Sequence, residues 1–328
     1  MASPMRFGLP GSRGSLTPGS AVATLDLARR AEALGFDALW LSEEHFSAAN
    51  APVRRRQPSA LVVAAALAAS ISRIRIGFTV LLPQLHDAHR LAEDIATLDL
   101  LSGGRVNLGL GWPNPVYPKA FGHGSDRPEL AEQLDIMIDD WSGRPLVIDG
   151  TAYLIEPPLL QQPHPPVYIA PRDHDALDWA AAQGHAVILS AFQSKASLHE
   201  TLTRFGGGGG RIADSPVERF CFVGESDAAA RNHAWPLVVA MMQRFAKTGA
   251  AQTANRIIPE TDIDPQRCYN EVALIGGPAT VAAKIAALRA EYGVQCINLR
   301  PSFWGSCPAH LQALTIERFA TDVVPQLA

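Results

Sequence analysis

Leu91–Gly111, LAEDIATLDLLSGGRVNLGLG, joins a helical pattern to a strand pattern through two glycines. Leu91, Ile95 and Leu98 recur at the three- and four-residue spacing of a helix with one apolar face. Gly103-Gly104 is a helix stop, and Arg105–Gly111 then alternates small and aliphatic residues as a short buried strand does. One helix-to-strand step of this kind is the repeating unit of an α/β fold.

Working outward, the same step recurs. Upstream lie an apolar run at Met5–Leu9, a helix over Ala21–Leu34 closed by Gly35, the strand DALWLS, a helix over Ala60–Ser70 and the strand Ile74–Leu82. Downstream lie a helix over Pro128–Trp141, the strand PVYIA, the helix DALDWAAAQG, and the strands AVILS and ERFCFVG. A helix from Asp227, the helix PATVAAKIAALRAEYG, the strand VQCINLR and a last helix complete the chain. About eight strand-like runs, apolar on both faces, alternate with helices, which suits a parallel sheet covered on both sides. The fold class expected is α/β, a (β/α)8 TIM barrel with insertions over residues 1–328. The alternative, an open doubly wound sheet, would more readily show an early G-x-G-x-x-G, and none is present.

Two stretches interrupt the alternation. Gly206–Gly210 is five glycines without the Lys-Ser/Thr of a phosphate-binding loop, and reads as a mobile connector. Lys247–Asn270 is long and polar, the pattern of a mobile lid.

Composition excludes several functions. With 47% hydrophobic and 18% charged residues and a net charge of −4, nothing suggests nucleic acid or a membrane surface as a partner. The most apolar stretch, Ala60–Ala69, is too short to span a bilayer. The N-terminus lacks a charged region followed by an apolar run, which predicts no secretory leader. Four cysteines without a C-x-x-C pair fit a reducing cytoplasm.

In a (β/α)8 barrel the site is built at the C-terminal ends of the strands. That rule selects Glu43, Glu44 and His45 after the second strand, and Phe78 and Thr79 within the third. It also selects Gly111 and Trp112 after the fourth, Arg172 and Asp173 after the fifth, Ser190 after the sixth and Arg300 after the eighth. Glu44 reads as a base beside His45, as a solvated loop carboxylate or as a partner orienting His45. Arg54–Arg56 reads as a solvated loop, with capture of an acidic group as the alternative. His86-x-x-His89 lacks a third metal ligand, so no metal site is expected. Ser190 has no G-x-S-x-G elbow around it.

GFDALWLSEEHF, LAEDIATLDLLSGGRVNLGLG, PVYIA and GGPATVAAKIAALRAEYGVQCINLR occur in an order that resembles the bacterial luciferase-like, flavin-dependent monooxygenases over nearly the whole chain. The resemblance implies a (β/α)8 barrel, reduced FMN supplied by a separate flavin reductase, oxygen, a small organic substrate and a homodimer. Related deazaflavin (F420) oxidoreductases share the barrel and transfer hydride. The resemblance also implies site residues. Glu44 stands where the family pattern EHHF has its first histidine, and His45 matches the second. Trp112 replaces the arginine that grips the flavin phosphate, while Asp173 and Ala176 replace a serine and a threonine there. Arg172 falls where luciferase has a glutamate, Arg127 matches a phosphate-side arginine, and Ile188 and Ser190 match flavin-lining positions. These substitutions imply weak FMN binding, and they leave open a barrel acting as a non-catalytic partner subunit.

Overall fold

The computed structural model describes residues 4–11, 20–46, 58–122, 129–248, 258 and 264–327. The first half of the chain forms β1 (Arg6–Pro10), α1 (Ser20–Ala33), β2 (Ala38–Leu41), α2 (Ala60–Ala68), β3 (Arg75–Phe78), α3 (Ala88–Ser102), β4 (Val106–Leu110), α4 (Val116–Ala120), α5 (Leu130–Trp141), β5 (Leu146–Ile148) and β6 (Thr151–Tyr153). The second half forms β7 (Val167–Ile169), α6 (His174–Ala182), β8 (Ala186–Val187), α7 (Lys195–Gly207), β9 (Val217–Val223), α8 (Asp227–Thr248), β10 (Leu274–Gly276), α9 (Pro278–Tyr292), β11 (Cys296–Arg300) and α10 (Ala309–Arg318). Parallel strands alternate with helices, as the (β/α)8 class with insertions requires. Among the described residues, no helix is long and apolar enough to cross a membrane.

Two compact units divide the chain, the first Gly11–Glu32 with Ala38–Tyr168, the second Met1–Pro10 with Ala33–Asp37 and Ile169–Ala328. In the first, β2, β3 and β4 pair in parallel, with Trp40 opposite Gly77 and Ile76 opposite Val106. Glycine at 77 has a steric reason. A β-carbon there would lie 2.5 Å from the Trp40 ring, and Trp40 is itself held edge-on by Tyr168 at 5.3 Å. Helix α3 is capped by Asp87, whose side chain accepts from the Arg90 N–H at 3.0 Å. It ends at Gly103 in the left-handed region, φ 67°. Its buried face includes Leu91, Ile95, Leu98 and Asp99.

Glu32, at the end of α1, receives the backbone N–H groups of Ser72, Arg73 and Ile74 at 2.8, 2.6 and 3.1 Å. Burial opposes its charge, but these bonds outweigh it and hold the carboxyl below its ordinary value. A depressed carboxyl stabilises the fold above its unfolded pKa, and that contribution is lost as pH falls through the folded pKa. Glu32→Gln should therefore cost at most about 1 kcal/mol at neutral pH, since the site is wet. The difference should shrink below about pH 4.5. Urea titrations of both proteins at pH 7 and pH 3.5 check this; a constant difference would rule it out.

In the second unit the order is β10-β9-β11-β1, all parallel. All seven residues of β9 are buried, and Leu189, just past β8, bridges to Val217. Strand β10 lies within a stretch that the eight-run reading leaves unassigned; LIG is too short to give a period on its own. The β5–β6 hairpin is also an addition. Its two-residue turn, Asp149-Gly150, has φ 50° and 78°, the Asp-Gly signal of a tight hairpin.

The five glycines are not a connector. Gly206 and Gly207 finish α7, Gly208 caps it, and a β-carbon on Gly210 would lie 2.5 Å from the Phe205 ring. Most of the expected lid, and Arg54–Arg56 and Arg127, lie outside the described residues. Of the lid, 264–270 is anchored: Asp264 caps the turn at Pro265–Arg267, and Cys268 is fully buried in a core with Phe222, Met242 and Val272.

Candidate functional site

The stretch after β2 keeps pairing with the stretch after β3. Thr79 N–H donates to Leu41 O at 2.6 Å, Glu43 N–H to Val80 O at 2.9 Å, and Ser42 Oγ to Thr79 O at 2.9 Å. This pairing carries Glu43 to Leu82, and the turn at Pro83–Leu85 then brings in His86. The result is a three-way cluster. Glu43 Oε1 accepts from His45 Nε2 at 2.9 Å and from His86 Nε2 at 2.8 Å, while Oε2 accepts the Leu82 N–H at 2.7 Å.

Burial disfavours the Glu43 charge, but the hydrogen bond and charge of His86, the Leu82 N–H and the His45 hydrogen bond outweigh it. Its carboxyl is held below the ordinary carboxylate value and is ionised at neutral pH. An ionised carboxylate only accepts hydrogen bonds, so both imidazoles donate through Nε2. On His45, Nδ1 is then the atom left to take up or release a proton.

Beside the cluster is a cavity of about 170 Å³ whose wall includes Glu43, Glu44, His45, Leu61, Leu81 and His86. Both residues expected to be catalytic, Glu44 and His45, thus face one cavity. Sequence order selects Glu43 only as a strand-end residue, without a catalytic role, and His86 is an addition to the expected set. The i, i+2 spacing of Glu43 and His45 was a usable signal; His86 gave none, because it arrives by strand pairing. His86 and His89 do not act as a pair, since His89 Nδ1 meets Asp140 Oδ2 at 2.8 Å. No group of three or more metal-ligating side chains occurs among the described residues.

In the same unit Phe78 is fully buried, and the peptide between Thr79 and Val80 is cis. Gly111 lies under Val80, whose Cγ2 would be 2.6 Å from a β-carbon there. Trp112 is half-buried.

The second unit holds the other expected residues. Asp173 caps α6, its Oδ1 accepting from the Ala176 N–H at 3.0 Å, and its Oδ2 meets Arg172 Nε at 3.3 Å. A carboxylate of the protein's own therefore occupies the positive end of this helix. Ile188 is buried and donates its N–H to Ile169 O at 2.8 Å. Ser190 Oγ accepts from the Phe192 N–H at 3.3 Å, and Ser190 O accepts from the fully buried Arg219 at 3.4 Å. Burial lowers Arg219 to about 10. Arg300 is paired with Glu218.

A family model described as luciferase-like monooxygenase matches residues 5–296. The chain spans about half the length of the first curated relative it matches and 63% of the second. An F420-dependent glucose-6-phosphate dehydrogenase of Amycolatopsis mediterranei is 26% identical over 92% of this chain and 93% of its own. Among solved structures, monooxygenase RslO1 from Streptomyces bottropensis superposes with TM-score 0.76 at 23% identity, covering 99% of this chain and 100% of that one. The oxygenating constituent of 3,6-diketocamphane monooxygenase of Pseudomonas putida, in complex with FMN, gives 0.74 at 17% identity over 99% of each chain. At these identities the structural likeness shows the fold.

Proposed function

The chain belongs to the luciferase-like monooxygenase family, and on that premise we propose that it is a flavin-dependent oxidoreductase acting on a small organic substrate. The principal reading is monooxygenation with reduced FMN and O2, the FMN coming from a separate reductase. The second is hydride transfer with F420, favoured by the dehydrogenase relative. One observation carries the catalytic reading: a buried, ionised Glu43 holding two imidazoles in one tautomer on the wall of a cavity.

The cofactor's phosphate does not fit the place the family pattern assigns it at the start of α6. Asp173 already satisfies the Ala176 N–H, and its charge repels an anion. Arg172, the nearest replacement cation, is engaged with that same Asp173. A flavin phosphate carries about two negative charges and needs donors or cations, so it contributes little to binding here.

The chain's own residues supply proton handling. Glu43 holds a proton on Nε2 of both His45 and His86 and so orients both rings, and exchange of a proton with a bound molecule falls to His45 Nδ1. Glu44 lies on the same wall. A homodimer and a cytoplasmic location are part of the same proposal.

Absorbance titrations test the cofactor. FMN and riboflavin should bind with affinities within about threefold of each other, since the phosphate adds no net contact. Asp173→Ser, which removes the repelling carboxylate from the start of α6, should then tighten FMN by about fivefold or more and leave riboflavin unchanged. Tight FMN binding by the unaltered protein, lost in Arg172→Ala, would overturn the phosphate argument. Oxygen uptake with reduced FMN, or anaerobic reduction of F420, separates the two chemistries. Neither activity with any candidate substrate would leave a binding subunit.

A further inference from the structure

The β5–β6 hairpin is apolar without being covered. Every residue from Val147 to Leu154 is exposed, and Val147, Ile148, Tyr153 and Leu154 are 68, 56, 50 and 58% exposed. Leu146 pairs with Tyr153, Val147 with Ala152 and Ile148 with Thr151. Side chains alternate along a strand, so Val147 and Leu154 lie on one face and Ile148 and Tyr153 on the other. Water therefore reaches apolar groups on both faces. No charge in the strands offsets them: from Pro145 to Ile155 the only charged residue is Asp149, in the turn.

The edges are open as well. Among the described residues this sheet has two strands, so each strand keeps an outer row of N–H and C=O groups without a ladder. Ile148 and Thr151 flank the two-residue turn as its closing hydrogen-bonded pair, so the next pair, Val147 and Ala152, points its backbone groups outward. Charged residues or proline usually blunt such an edge, and the strands LVI and TAY contain neither. A two-stranded hairpin alone is marginal in water; three or more strands are needed for it to hold by itself.

We propose that the hairpin is the docking surface for a second copy of this chain, the two hairpins joining edge to edge into one four-stranded antiparallel sheet about a twofold axis. It rests on the homodimer reading, which names no surface, and on no part of the catalytic one. An antiparallel ladder is its own twofold image, so a strand edge fits the same edge of a copy. Strands without charge also meet their own image without like-charge repulsion. The four apolar side chains leave on the order of 400 Å² per copy, half of the roughly 800 Å² per partner of a standard interface. That is too little for a dimer held by apolar burial alone, and it suits a contact in which a backbone ladder supplies the rest.

Analytical ultracentrifugation of the whole chain tests this. The unaltered protein should sediment as an assembly of an even number of chains. Val147→Lys with Leu154→Lys, which sets like charges across the joined edges, should halve that mass and raise the dissociation constant by about a hundredfold or more. Ala152→Pro, which removes one outward N–H, should act in the same direction. Thermal melts check that both variants fold. Val62→Lys, on α2 at a residue 70% exposed, is the control and should leave the mass unchanged. In the assembly the Val147 and Ala152 amides should exchange with deuterium at least about tenfold more slowly than in the unassembled lysine variant. A single-chain mass for the unaltered protein overturns both the surface and the homodimer reading. An assembly that keeps its mass in both hairpin variants, or whose hairpin amides exchange freely, overturns the surface alone and leaves this face to a different partner protein. Turnover enters none of these readouts, so the oxidoreductase reading stands or falls separately.

Discussion

Glu43→Gln should lower turnover by about 100- to 10,000-fold, the usual contribution of general acid–base groups, while stability changes by only about 1–2 kcal/mol. The reason is that one buried oxygen, Glu43 Oε1, is shared by His45 Nε2 and His86 Nε2 at 2.9 and 2.8 Å. Glutamine keeps the volume but loses the charge, and its amide nitrogen is a donor where the carboxylate only accepts. The tautomer of both imidazoles is then no longer imposed. Two measurements separate this from simple structural damage. In nitrogen NMR of the unaltered protein, both rings should carry the proton at Nε2, and the variant should show mixed tautomers. The pH–rate profiles should also differ in form. The Glu43 carboxyl is depressed, so its contribution is complete above the ordinary carboxylate range and is lost as pH falls through its folded value. The gap between the two proteins should accordingly narrow only at the acid end. Glu44→Gln and His45→Ala complete the series. Unchanged turnover in all three would return the cluster to an ordinary loop, and a larger loss in Glu44→Gln than in Glu43→Gln would transfer the proton-handling role to Glu44.

Asp99→Ala should cost about 3–5 kcal/mol, enough to remove a large part of the stability of an ordinary domain. Asp99 is fully buried on α3. Its Oδ2 accepts the N–H groups of Leu160 and Gln161 at 2.9 and 2.8 Å, and its Oδ1 accepts Gln161 Nε2 at 2.7 Å. Gln161 passes the network on to Arg75 at 2.8 Å and to Val106 O at 3.0 Å. Alanine would orphan two backbone donors, each costing about 1–3 kcal/mol. Arg75 and Val106 are the first residues of β3 and β4. The network therefore ties down the N-terminal ends of those strands, away from the end that carries Glu43, where a barrel keeps its stability rather than its chemistry. Guanidinium titration should show a lower midpoint with an unchanged slope. The fraction that remains folded should keep its specific activity. A loss below about 1 kcal/mol would show that water or a shifted loop satisfies the freed donors.

Local chemistry made the fold legible. Helix α3, its Asp87 cap, its Gly103 stop and the strand that follows are set by residues adjacent in the chain, and they occur where the spacing places them. The Asp149-Gly150 turn carries a local signal of the same kind, which the eight-run reading passed over. Gly206–Gly210 misleads for the opposite reason. Composition says flexible, but contacts decide, and here Phe205 folds back onto Gly210.

The site divides along the same line. That Glu43, Glu44 and His45 stand at a strand end follows from order along the chain. Which carboxylate is buried against the imidazoles does not, because a shift of one residue in the pairing would exchange the two. The pairing of Glu43 N–H with Val80 O settles it, and the same pairing delivers His86, 43 positions away from Glu43. Likewise, the sequence places Asp173 where a phosphate contact is expected, and only the folded chain shows its carboxylate already spent on the Ala176 N–H. Residue order determined the elements and the list of candidates. Partner choice, which needs groups distant in sequence brought within hydrogen-bonding range, was left to the tertiary structure.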